Sequence, residues 1–391
     1  MSRGRELVRI LVLGGDGYLG WPTATYFSAR DHDVLICDNL SKRHLETQLG
    51  FEPLFPNPSL QARVKTWRAK SGKPITYSVG DLLNHRYIYH QLETFLPEAI
   101  IHFAEQPSAP FSMLGREQAV FTQQNNVIGT LNLMFAMQHS CPAAHLIKLG
   151  TMGEYGTPNI DIEEGFLEVT HNGRTDLLPY PKQPGSFYHL SKVHDSHNIM
   201  FGCRAWGLKA TDLNQGVVYG IETPETSLDP RLATSFHYDE IFGTVLNRFC
   251  VQAVAGIPLT VYGTGGQTRG FLNIMDTLRC IELSLLNPAS AGEFRVFNQL
   301  TESFSVRDLA LKVQEAAKAF GLAVELQNIP NPRVEKEDHY YNVKHTKLLD
   351  LGLTPHYLDD QTIQSFIEKI IHRKDAILTE TIQPHVRWHQ S

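Results

Sequence analysis

Residues 8–20 of the chain read VRILVLGGDGYLG. The first six residues are apolar and mostly branched apart from one arginine, which predicts a buried strand. Glycines then recur at Gly14, Gly17 and Gly20, and a stretch that suits a helix follows at 21–30. Glycines at this spacing permit a tight turn, let a pyrophosphate approach the backbone and let the helix pack close to the strand. The stretch therefore predicts the first strand and helix of a dinucleotide-binding sheet.

An acidic residue at the end of the next strand predicts which dinucleotide binds. The strand pattern at 33–37 ends at Asp38, eighteen residues after Gly20. A carboxylate there accepts hydrogen bonds from ribose hydroxyls and repels a 2′-phosphate, so NAD is favoured over NADP. The alternative is a glycine turn with no ligand, which the order of strand, glycines, helix and acid disfavours.

Composition narrows the class of protein. The chain has 391 residues, of which 42% are hydrophobic and 19% charged, as in an ordinary globular protein of one large or two moderate domains. The net charge of −6 provides no basic stripe for nucleic acid. Five widely spaced cysteines predict buried thiols rather than disulfides, and the 18 histidines are too scattered to predict a metal site.

The N-terminal residues 1–7 run directly into the first strand and contain no apolar signal segment. No apolar run is long enough to span a membrane. From these two observations we expect a cytoplasmic protein without a membrane partner.

Strand and helix patterns alternate along the first half of the chain. Strands are predicted at 75–80, 99–103, 145–149 and 208–213, and helices at 84–95, 119–139 and 188–205. This order predicts an α/β fold, a Rossmann-type doubly wound parallel sheet, with a smaller C-terminal substrate-binding domain. Ligands bind at the carboxyl ends of such strands, where Asp38, Asp81, Glu105 and Thr151 lie.

The predicted domains follow this pattern. Residues 8–213 form the NAD-binding domain, to which segments around 242–262 and 292–300 return, and residues 214–391 mainly bind the substrate. The stretches 157–187 and 221–241 lack periodicity and are predicted to be functional loops.

A catalytic pair is predicted in the segment SFYHLSK at 186–192. Tyr188 and Lys192 are four residues apart, so on a helix they share one face. A free tyrosine is a poor base at neutral pH, and a nearby ammonium lowers its pKa. The pair can then remove a hydroxyl proton while a hydride leaves the same carbon. This spacing is common by chance and gains its meaning from the nucleotide site.

Longer runs carry a resemblance to a known family. The chain resembles the extended short-chain dehydrogenase/reductases that act on nucleotide sugars, and among them the UDP-sulfoquinovose synthase family. The resemblance extends from about residue 9 to 360 and is carried by the runs at 148–161, 188–198, 211–220, 265–270, 331–335 and 355–358.

The resemblance implies an enzyme that makes the sulfolipid headgroup donor UDP-sulfoquinovose from UDP-glucose and sulfite. In the implied reaction, a hydride passes from sugar carbon 4 to NAD while Tyr188 takes the proton of the carbon 4 hydroxyl. Lys192 tunes the acidity of Tyr188 and holds the nicotinamide ribose. Thr151 forms a hydrogen bond with the same sugar oxygen. The 4-ketone acidifies the carbon 5 proton, water is lost from carbon 6, sulfite adds there, and carbon 4 is reduced again. NAD is regenerated each cycle and is expected to stay bound.

The proton transfers at carbons 5 and 6 need further groups. Related 4,6-dehydratases carry Asp-Glu directly after the threonine, where this chain has Met152 and Gly153. Glu154 and His189 are therefore predicted as acid and base, and Met152 is included in the predicted catalytic set. The alternatives are an ion-paired loop acid for Glu154 and simple packing for His189.

Binding residues are predicted for both ligands. Arg269 and Arg333 suit the substrate diphosphate because guanidinium forks match its oxygens, although isolated arginines are more often surface ion-pair partners. The residues predicted to bind NAD are Gly14, Gly17, Tyr18, Leu19, Gly20, Asp38, Asn39, Asp81, Leu82, Asn126, Tyr188, Lys192, Gln215 and Val218. Those predicted to bind the sugar nucleotide are Gln106, Thr151, Gln215, Asn247, Arg248, Tyr262, Arg269 and Arg333.

Two positions depart from the resemblance. Pro107 and Met275 stand where the family pattern leads us to expect arginines. The alternatives are therefore a divergent UDP-sugar epimerase or dehydratase with another substrate or nucleophile, and a non-catalytic NAD-binding scaffold. The resemblance also implies a homodimer through the helices near 119–139 and 188–205.

Overall fold

The computed structural model describes residues 7–336, 338–386 and 388. The expected absence of a signal segment thus concerns residues 1–6, which lie outside the described part. A parallel sheet of seven strands forms the centre: β1 Arg9–Leu13, β2 Asp33–Asp38, β3 Thr76–Val79, β4 Ala99–His102, β5 His145–Thr151, β8 Lys209–Gln215 and β12 Phe294–Gln299. The strand order is β12-β8-β5-β4-β1-β2-β3, so the chain reverses direction across the sheet between β1 and β4. The predicted doubly wound parallel sheet is confirmed.

Helices cover both faces of this sheet, and further helices pack together in the later part of the chain. They are α1 Gly20–Ala29, α2 Ser41–Leu49, α3 Leu60–Ser71, α4 His85–Phe95, α5 Ala109–Ser112, α6 Arg116–Gln123, α7 Gly129–Ser140, α8 Phe187–Trp206, α9 Val245–Ala255, α10 Ile274–Leu286, α11 Val306–Ala317, α12 Lys347–Asp350 and α13 Asp360–Ile371. Short 3₁₀ turns lie at Met152–Glu154, Thr226–Leu228, Pro230–Leu232, Lys318–Phe320, Lys374–Ala376 and Thr379–Thr381.

The alternation of side chains along β1 builds two cores. Ile10 and Val12 belong to one apolar cluster, which includes residues of α1 and α10. Leu11 and Leu13 belong to a second cluster with residues of α4 and α7. Successive side chains of a strand point to opposite faces, so a strand that is apolar from Ile10 to Leu13 must be covered on both faces. This burial fixes the glycine turn after β1 at the carboxyl edge of the sheet.

The helix predicted over 119–139 is interrupted. A π-helical turn at Gln124–Ile128 separates α6 from α7. Asn126 within the turn accepts a hydrogen bond from the Gln106 backbone at 2.8 Å and donates to Ser191 at 2.9 Å. The wider turn thereby directs the Asn126 side chain toward the residues that follow β4 and toward α8. Such π-helical turns are often found at functional sites.

The later part of the chain packs around its own core. Helices α9, α11 and α13 share one apolar cluster. Beside them β10 Leu259–Tyr262 pairs with β14 Leu326–Ile329, and β9 Val217–Tyr219, β11 Thr268–Asn273 and β13 Glu302–Ser305 form another small sheet.

The two segments predicted to return to the NAD-binding domain differ in their packing. The segment around 242–262, which was expected to return to the NAD-binding domain, packs its apolar helix face against α11 and α13, and its assignment to either domain stays a prediction. The segment 292–300 does supply β12 to the large sheet. The division between residues 213 and 214 stays a prediction.

The two predicted loops differ in structure. Within 157–187, β6 Phe166–His171 and β7 Arg174–Pro179 form an antiparallel hairpin. Asn172 and Gly173 at its turn have φ values of 51° and 74°, as a two-residue hairpin turn requires. The loop at 221–241 contains only 3₁₀ turns.

All five cysteines are buried free thiols. Within the ranges described above, no helix has the length and apolar character that a membrane span requires.

Candidate active site

A cavity of about 490 Å³ opens at the carboxyl edge of the large sheet and extends toward the later part of the chain. It is lined by most residues that the sequence predicted for ligand binding and catalysis: Gly14, Gly17, Tyr18, Leu19, Gly20, Asp38, Asn39, Asp81, Leu82, Gln106, Thr151, Tyr188, His189, Gln215, Val218, Asn247, Arg248, Tyr262, Arg269 and Arg333. Four predicted residues do not line it: Asn126, Met152, Glu154 and Lys192.

The glycine turn leaves no room for side chains at two positions. Gly14 has φ of +80°, and a Cβ there would lie 2.7 Å from the Ala104 nitrogen. A Cβ at Gly20 would overlap the carbonyl oxygen of Gly14. Helix α1 begins at this point without a side-chain cap. The N–H groups of Trp21 and Thr23 donate to backbone carbonyls and Pro22 has none, so it is the N–H groups just before and at the helix start, at residues 18–20, that remain for a phosphate. The turn fits the pyrophosphate of a dinucleotide.

Asp38 is held in place to receive a ribose. One of its carboxylate oxygens accepts from the Asp16 nitrogen at 2.8 Å and the other from the Leu40 nitrogen at 2.7 Å. Burial raises the pKa of Asp38 to about 6, so the group is mainly ionised at neutral pH. The negative charge required for NAD preference is present there.

Sequence reasoning missed the support behind this turn. The Asp16 carboxylate forms ion pairs with Arg43 and with the fully buried Arg63. Arg63 also stacks over Trp21 at 4.3 Å from the ring centre. These partners are distant in sequence, so no local pattern could have found them.

The catalytic pair lies on the first turns of α8, which Ser186 caps through a hydrogen bond from the His189 nitrogen. The Lys192 ammonium lies 5.7 Å from the Tyr188 ring centre and donates to the Leu149 carbonyl at 2.7 Å. Burial raises the pKa of Tyr188, and Lys192 acts in the opposite direction without reversing it. The expected net lowering was therefore wrong for this arrangement, because loss of solvent outweighs the ammonium.

Thr151 ends β5 beside this pair. Its hydroxyl oxygen accepts from the Gly153 nitrogen at 3.1 Å. That bond uses the oxygen as an acceptor and leaves the hydroxyl proton available to a ligand in the cavity.

His189 packs directly against Gly153. A Cβ at Gly153 would overlap the imidazole at Cδ2 and Nε2, so only glycine admits the ring. The opposite nitrogen, Nδ1, lies 3.0 Å from the Ser186 hydroxyl. Burial, followed by the charges of Arg333 and Arg269, lowers the pKa of His189 to about 3. A neutral imidazole with a fixed orientation thus reaches the cavity.

Glu154 lies in a buried network of ion pairs. It contacts Lys148 at 3.4 Å and Lys182 more closely, and it accepts from the Ser196 hydroxyl at 3.0 Å. Burial alone would raise its pKa, but the two lysines hold it at about 2. These contacts are those expected if Glu154 is an ion-paired loop acid. Glu154 does not line the cavity, and its predicted role in proton transfer stays a prediction. Met152 is likewise buried in an apolar cluster.

Several predicted binding residues use their side chains within the protein. The Gln106 amide donates to the Ser108 carbonyl at 3.0 Å and to Thr122 at 2.8 Å, so it shapes the loop that carries Pro107. Gln215 donates to Gln299 at 2.9 Å.

Arginines gather at the other end of the cavity. Arg248 donates to the Tyr262 hydroxyl at 3.1 Å and stacks over that ring. Arg269 pairs with Glu335. Burial lowers the pKa of Arg333, whose guanidinium lies 5.3 Å from the Trp388 ring centre. The arrangement offers guanidinium groups to an anionic ligand.

Sequence reasoning also missed the wall formed by residues near the C-terminus, because no motif marks it. Val386 packs with Phe111 and Ile241, and Trp388 lines the cavity beside Arg333. Buried side-chain atoms of Asn247, Gln267 and Arg248 have no hydrogen-bond partner among the described residues, so polar capacity remains for a ligand.

The two unexpected residues have different surroundings. Pro107 lines the cavity. Met275 packs against the cluster of Val218, Leu272 and Ile274, which also contacts Tyr18 and Leu19 of the glycine turn. Met275 thus supports the cofactor side by packing rather than by charge.

Comparisons with known proteins agree with this geometry. Residues 10–298 match the NAD dependent epimerase/dehydratase family. The chloroplastic UDP-sulfoquinovose synthase of Spinacia oleracea is 57% identical over 380 residues, which cover 97% of this chain and 79% of that protein. The UDP-sulfoquinovose synthase of Sulfolobus acidocaldarius is 42% identical over 384 residues, which cover 97% of this chain and 98% of that protein.

Solved structures share the fold. The UDP-glucose 4-epimerase of Thermotoga maritima with UDP-glucose superposes with a TM-score of 0.69 at 20% identity, covering 94% of this chain and 100% of that one. The UDP-glucose 4-epimerase of Thermus thermophilus, in complex with NAD, has a TM-score of 0.65 at 25% identity with the same coverage.

Proposed function

The chain belongs to the NAD dependent epimerase/dehydratase family and, within it, to the UDP-sulfoquinovose synthases, and on that premise we propose that it converts UDP-glucose and sulfite to UDP-sulfoquinovose. The observation that carries the proposal is the meeting of Thr151, Tyr188 and His189 in one cavity of a chain that is 57% identical to a named synthase. The chain is an NAD-dependent sugar-nucleotide enzyme.

The residues at the carboxyl edge fit NAD. Gly14 and Gly20 permit the tight turn and the close approach of α1, and a Cβ at Gly17 would meet only the Gly14 oxygen, which leaves space for a pyrophosphate. Asp38 would offer its ionised carboxylate to the adenosine ribose. When bound, NAD accepts a hydride and returns it. Asn126 bonds to Gln106, which lines the cavity, and to Ser191 of α8, so it supports the pocket without lining it.

The chemistry at carbon 4 is assigned to three side chains. Tyr188 takes the hydroxyl proton and later returns it, and Thr151 donates a hydrogen bond to the same oxygen. Lys192 stabilises the phenolate by its charge. Thr151 ends β5, and Tyr188 and Lys192 lie in the first two turns of α8, so regular elements hold all three groups in place.

The chemistry at carbons 5 and 6 is assigned first to His189. Its imidazole is neutral, so it can accept the carbon 5 proton that the 4-ketone acidifies. The same group can then deliver a proton to the hydroxyl that leaves carbon 6. Glu154 would act on this step only through its lysine partners.

Substrate binding is proposed at the arginine end of the cavity. Arg248, Arg269 and Arg333 would hold the diphosphate, and Asn247 would bond the nucleotide through its free amide oxygen. Sulfite would add from the side that Pro107 lines. Proline has no N–H and no charge, so sulfite there would depend on neighbouring donors.

Mass spectrometry of the products from UDP-glucose, with and without sulfite, tests the proposal. A sulfite-dependent and more anionic sugar nucleotide is expected. If sulfite changes nothing but protons at carbons 5 and 6 exchange in deuterated water, the chain is a dehydratase-type relative with another nucleophile. Bound NAD without turnover or exchange would favour another sugar nucleotide or the scaffold alternative.

A homodimer is proposed through α6, α7 and α8. Apolar side chains on these helices are partly solvent-exposed in the single chain, including Phe135 at 47% and Phe201 at 54%. Light scattering after size-exclusion chromatography should give twice the chain mass, and Phe135→Glu with Phe201→Glu should give the monomer mass. The matched control is Leu311→Glu, an exposed apolar residue on α11.

A cytoplasmic location is proposed from the sequence, although the name of the spinach relative places that protein in the chloroplast. Cell fractionation with an antibody to the native chain decides between the two compartments.

A further inference from the structure

Glu105 forms a buried ion pair with Lys192 beside the catalytic tyrosine. The two side chains are 2% and 4% exposed. The Lys192 ammonium also donates to the Leu149 carbonyl at 2.7 Å and lies 5.7 Å from the Tyr188 ring centre. The Lys192 ammonium that acts on Tyr188 is therefore also paired with the negatively charged Glu105 carboxylate.

The other groups around Glu105 do not neutralise it. Apart from the contact with Lys192, neither of its oxygens has a hydrogen-bond donor among the described residues. The nearest histidine, His102, lies 3.9 Å away, and burial, followed by Lys192 and Lys148, lowers its pKa to about 3. Because that imidazole is uncharged at neutral pH, Lys192 is the group that balances Glu105.

Charged groups on the neighbouring elements are engaged elsewhere. Lys148 on β5 lies 3.4 Å from Glu154 and 3.3 Å from Asp212. Asp195 on α8 has no hydrogen-bond donor among the described residues, and burial, followed by the charge of Glu105, raises its pKa well above the usual range. A neutral Asp195 does not compete for Lys192.

We propose that Glu105 is a positioning residue for the reaction: its ion pair fixes the Lys192 ammonium and limits how strongly that ammonium pulls on the Tyr188 proton. The proposal rests on the proposed function, in which Tyr188 both takes a proton from carbon 4 oxygen and returns it. A phenol made too acidic would return its proton poorly, so an acid/base that works in both directions needs a balanced proton affinity. A carboxylate beside the lysine supplies that balance.

The test compares Glu105→Gln with the wild-type holoenzyme. Replacement of the carboxylate by an amide removes a negative charge, so Tyr188 should ionise at lower pH, by about one unit for charges this close in a partly screened site. Ultraviolet difference titration measures the ionisation directly, with Tyr188→Phe as the blank. The acidic limb of the rate of bound NAD reduction by UDP-glucose should shift in the same direction.

Two further variants make the result decisive. Glu105→Asp moves the carboxylate away by one methylene, so the titration of Tyr188 should shift in the same direction but by less. This variant provides the test if Glu105→Gln does not fold. The matched control is Glu282→Gln, a buried carboxylate that pairs with Arg30 and Arg279 away from the cavity lining. It should lose stability without moving the Tyr188 titration.

The outcomes separate this inference from the proposed function. An unchanged or higher pH for Tyr188 ionisation in the Glu105 variants overturns the inference, even if turnover falls. If the titration shifts as expected while UDP-glucose reduces bound NAD in none of the proteins, the inference stands and the proposed substrate is wrong.

Discussion

Gly153→Ala should separate the two halves of the reaction. The added methyl group would overlap Cδ2 and Nε2 of His189, and an ordinary carbon contact requires the ring to retreat by about 1 Å. A displacement of that size costs about 10²-fold in rate when it affects a reacting group. The three atoms that the methyl group would approach most closely all belong to His189, so the carbon 4 step should change less than the carbon 5 step.

The assay follows both steps in one sample. Exchange of the carbon 5 proton in deuterated water is measured by mass spectrometry, and reduction of bound NAD is measured by its absorbance. Exchange should fall by about 10²-fold, with a loss of about 1–3 kcal/mol in the free energy of unfolding from overpacking.

The matched control is Gly185→Ala, whose added methyl group would meet no atom within 4 Å. It should leave both rates near those of the wild type. Exchange at the wild-type rate in Gly153→Ala would show that His189 does not act on carbon 5. An equal loss in both steps would show that the methyl group disturbs the whole site.

Three further perturbations have expected outcomes. Tyr188→Phe should lose about 10²–10⁴-fold in turnover and keep its bound NAD, as measured by steady-state kinetics and by the absorbance of the released cofactor; turnover near the wild-type rate would contradict the role of the phenol. NAD affinity, measured by calorimetry on the apoprotein, should weaken as the pH falls through about 6, because protonation of Asp38 removes the acceptor for the ribose; Asp38→Asn should bind weakly with little of this pH dependence. Glu154→Gln should destabilise the fold by about 3–5 kcal/mol in thermal unfolding at neutral pH, because it removes the carboxylate partner of Lys182 and leaves Lys148 with Asp212 alone. The pKa of Glu154 in the folded protein is depressed to about 2, so its contribution to the free energy of unfolding is present above its ordinary pKa and is lost as the pH falls toward 2. The difference in stability between wild type and variant should therefore close in acid.

The sequence predicted the elements whose structure is determined by residues that are close together in the chain. A mostly apolar strand, three glycines and an acid define β1, the turn and the end of β2, and each constraint acts within a few residues. The Tyr188–Lys192 spacing was visible for the same reason. The Asn172-Gly173 hairpin was also within reach, since that dipeptide favours a two-residue turn, but the polar composition around it suggested a loop.

Long-range partners decided what the sequence could not predict. The π turn at Gln124–Ile128 depends on Asn126 reaching Gln106 and Ser191, which local periodicity does not register. The direction of the Tyr188 pKa shift depends on burial and on Glu105, which follows a different strand. The partners of Glu154 likewise come from β5 and from a distant loop.

The π turn also constrains how this region can be altered. Each residue of an α-helix turns the chain by about 100°. The π turn holds one more residue than a regular turn, so α6 and α7 keep the relative orientation of a helix that is one residue shorter. Deleting one residue from Gln124–Ile128 would restore a regular helix and leave Leu133 and Met137 buried against the sheet, but it would remove the wider turn that presents Asn126 to Gln106 and Ser191. Inserting one more residue would instead rotate α7 relative to α6 and turn Leu133 and Met137 toward solvent. A single deletion here therefore tests the Asn126 contacts, whereas a single insertion tests the packing of α7.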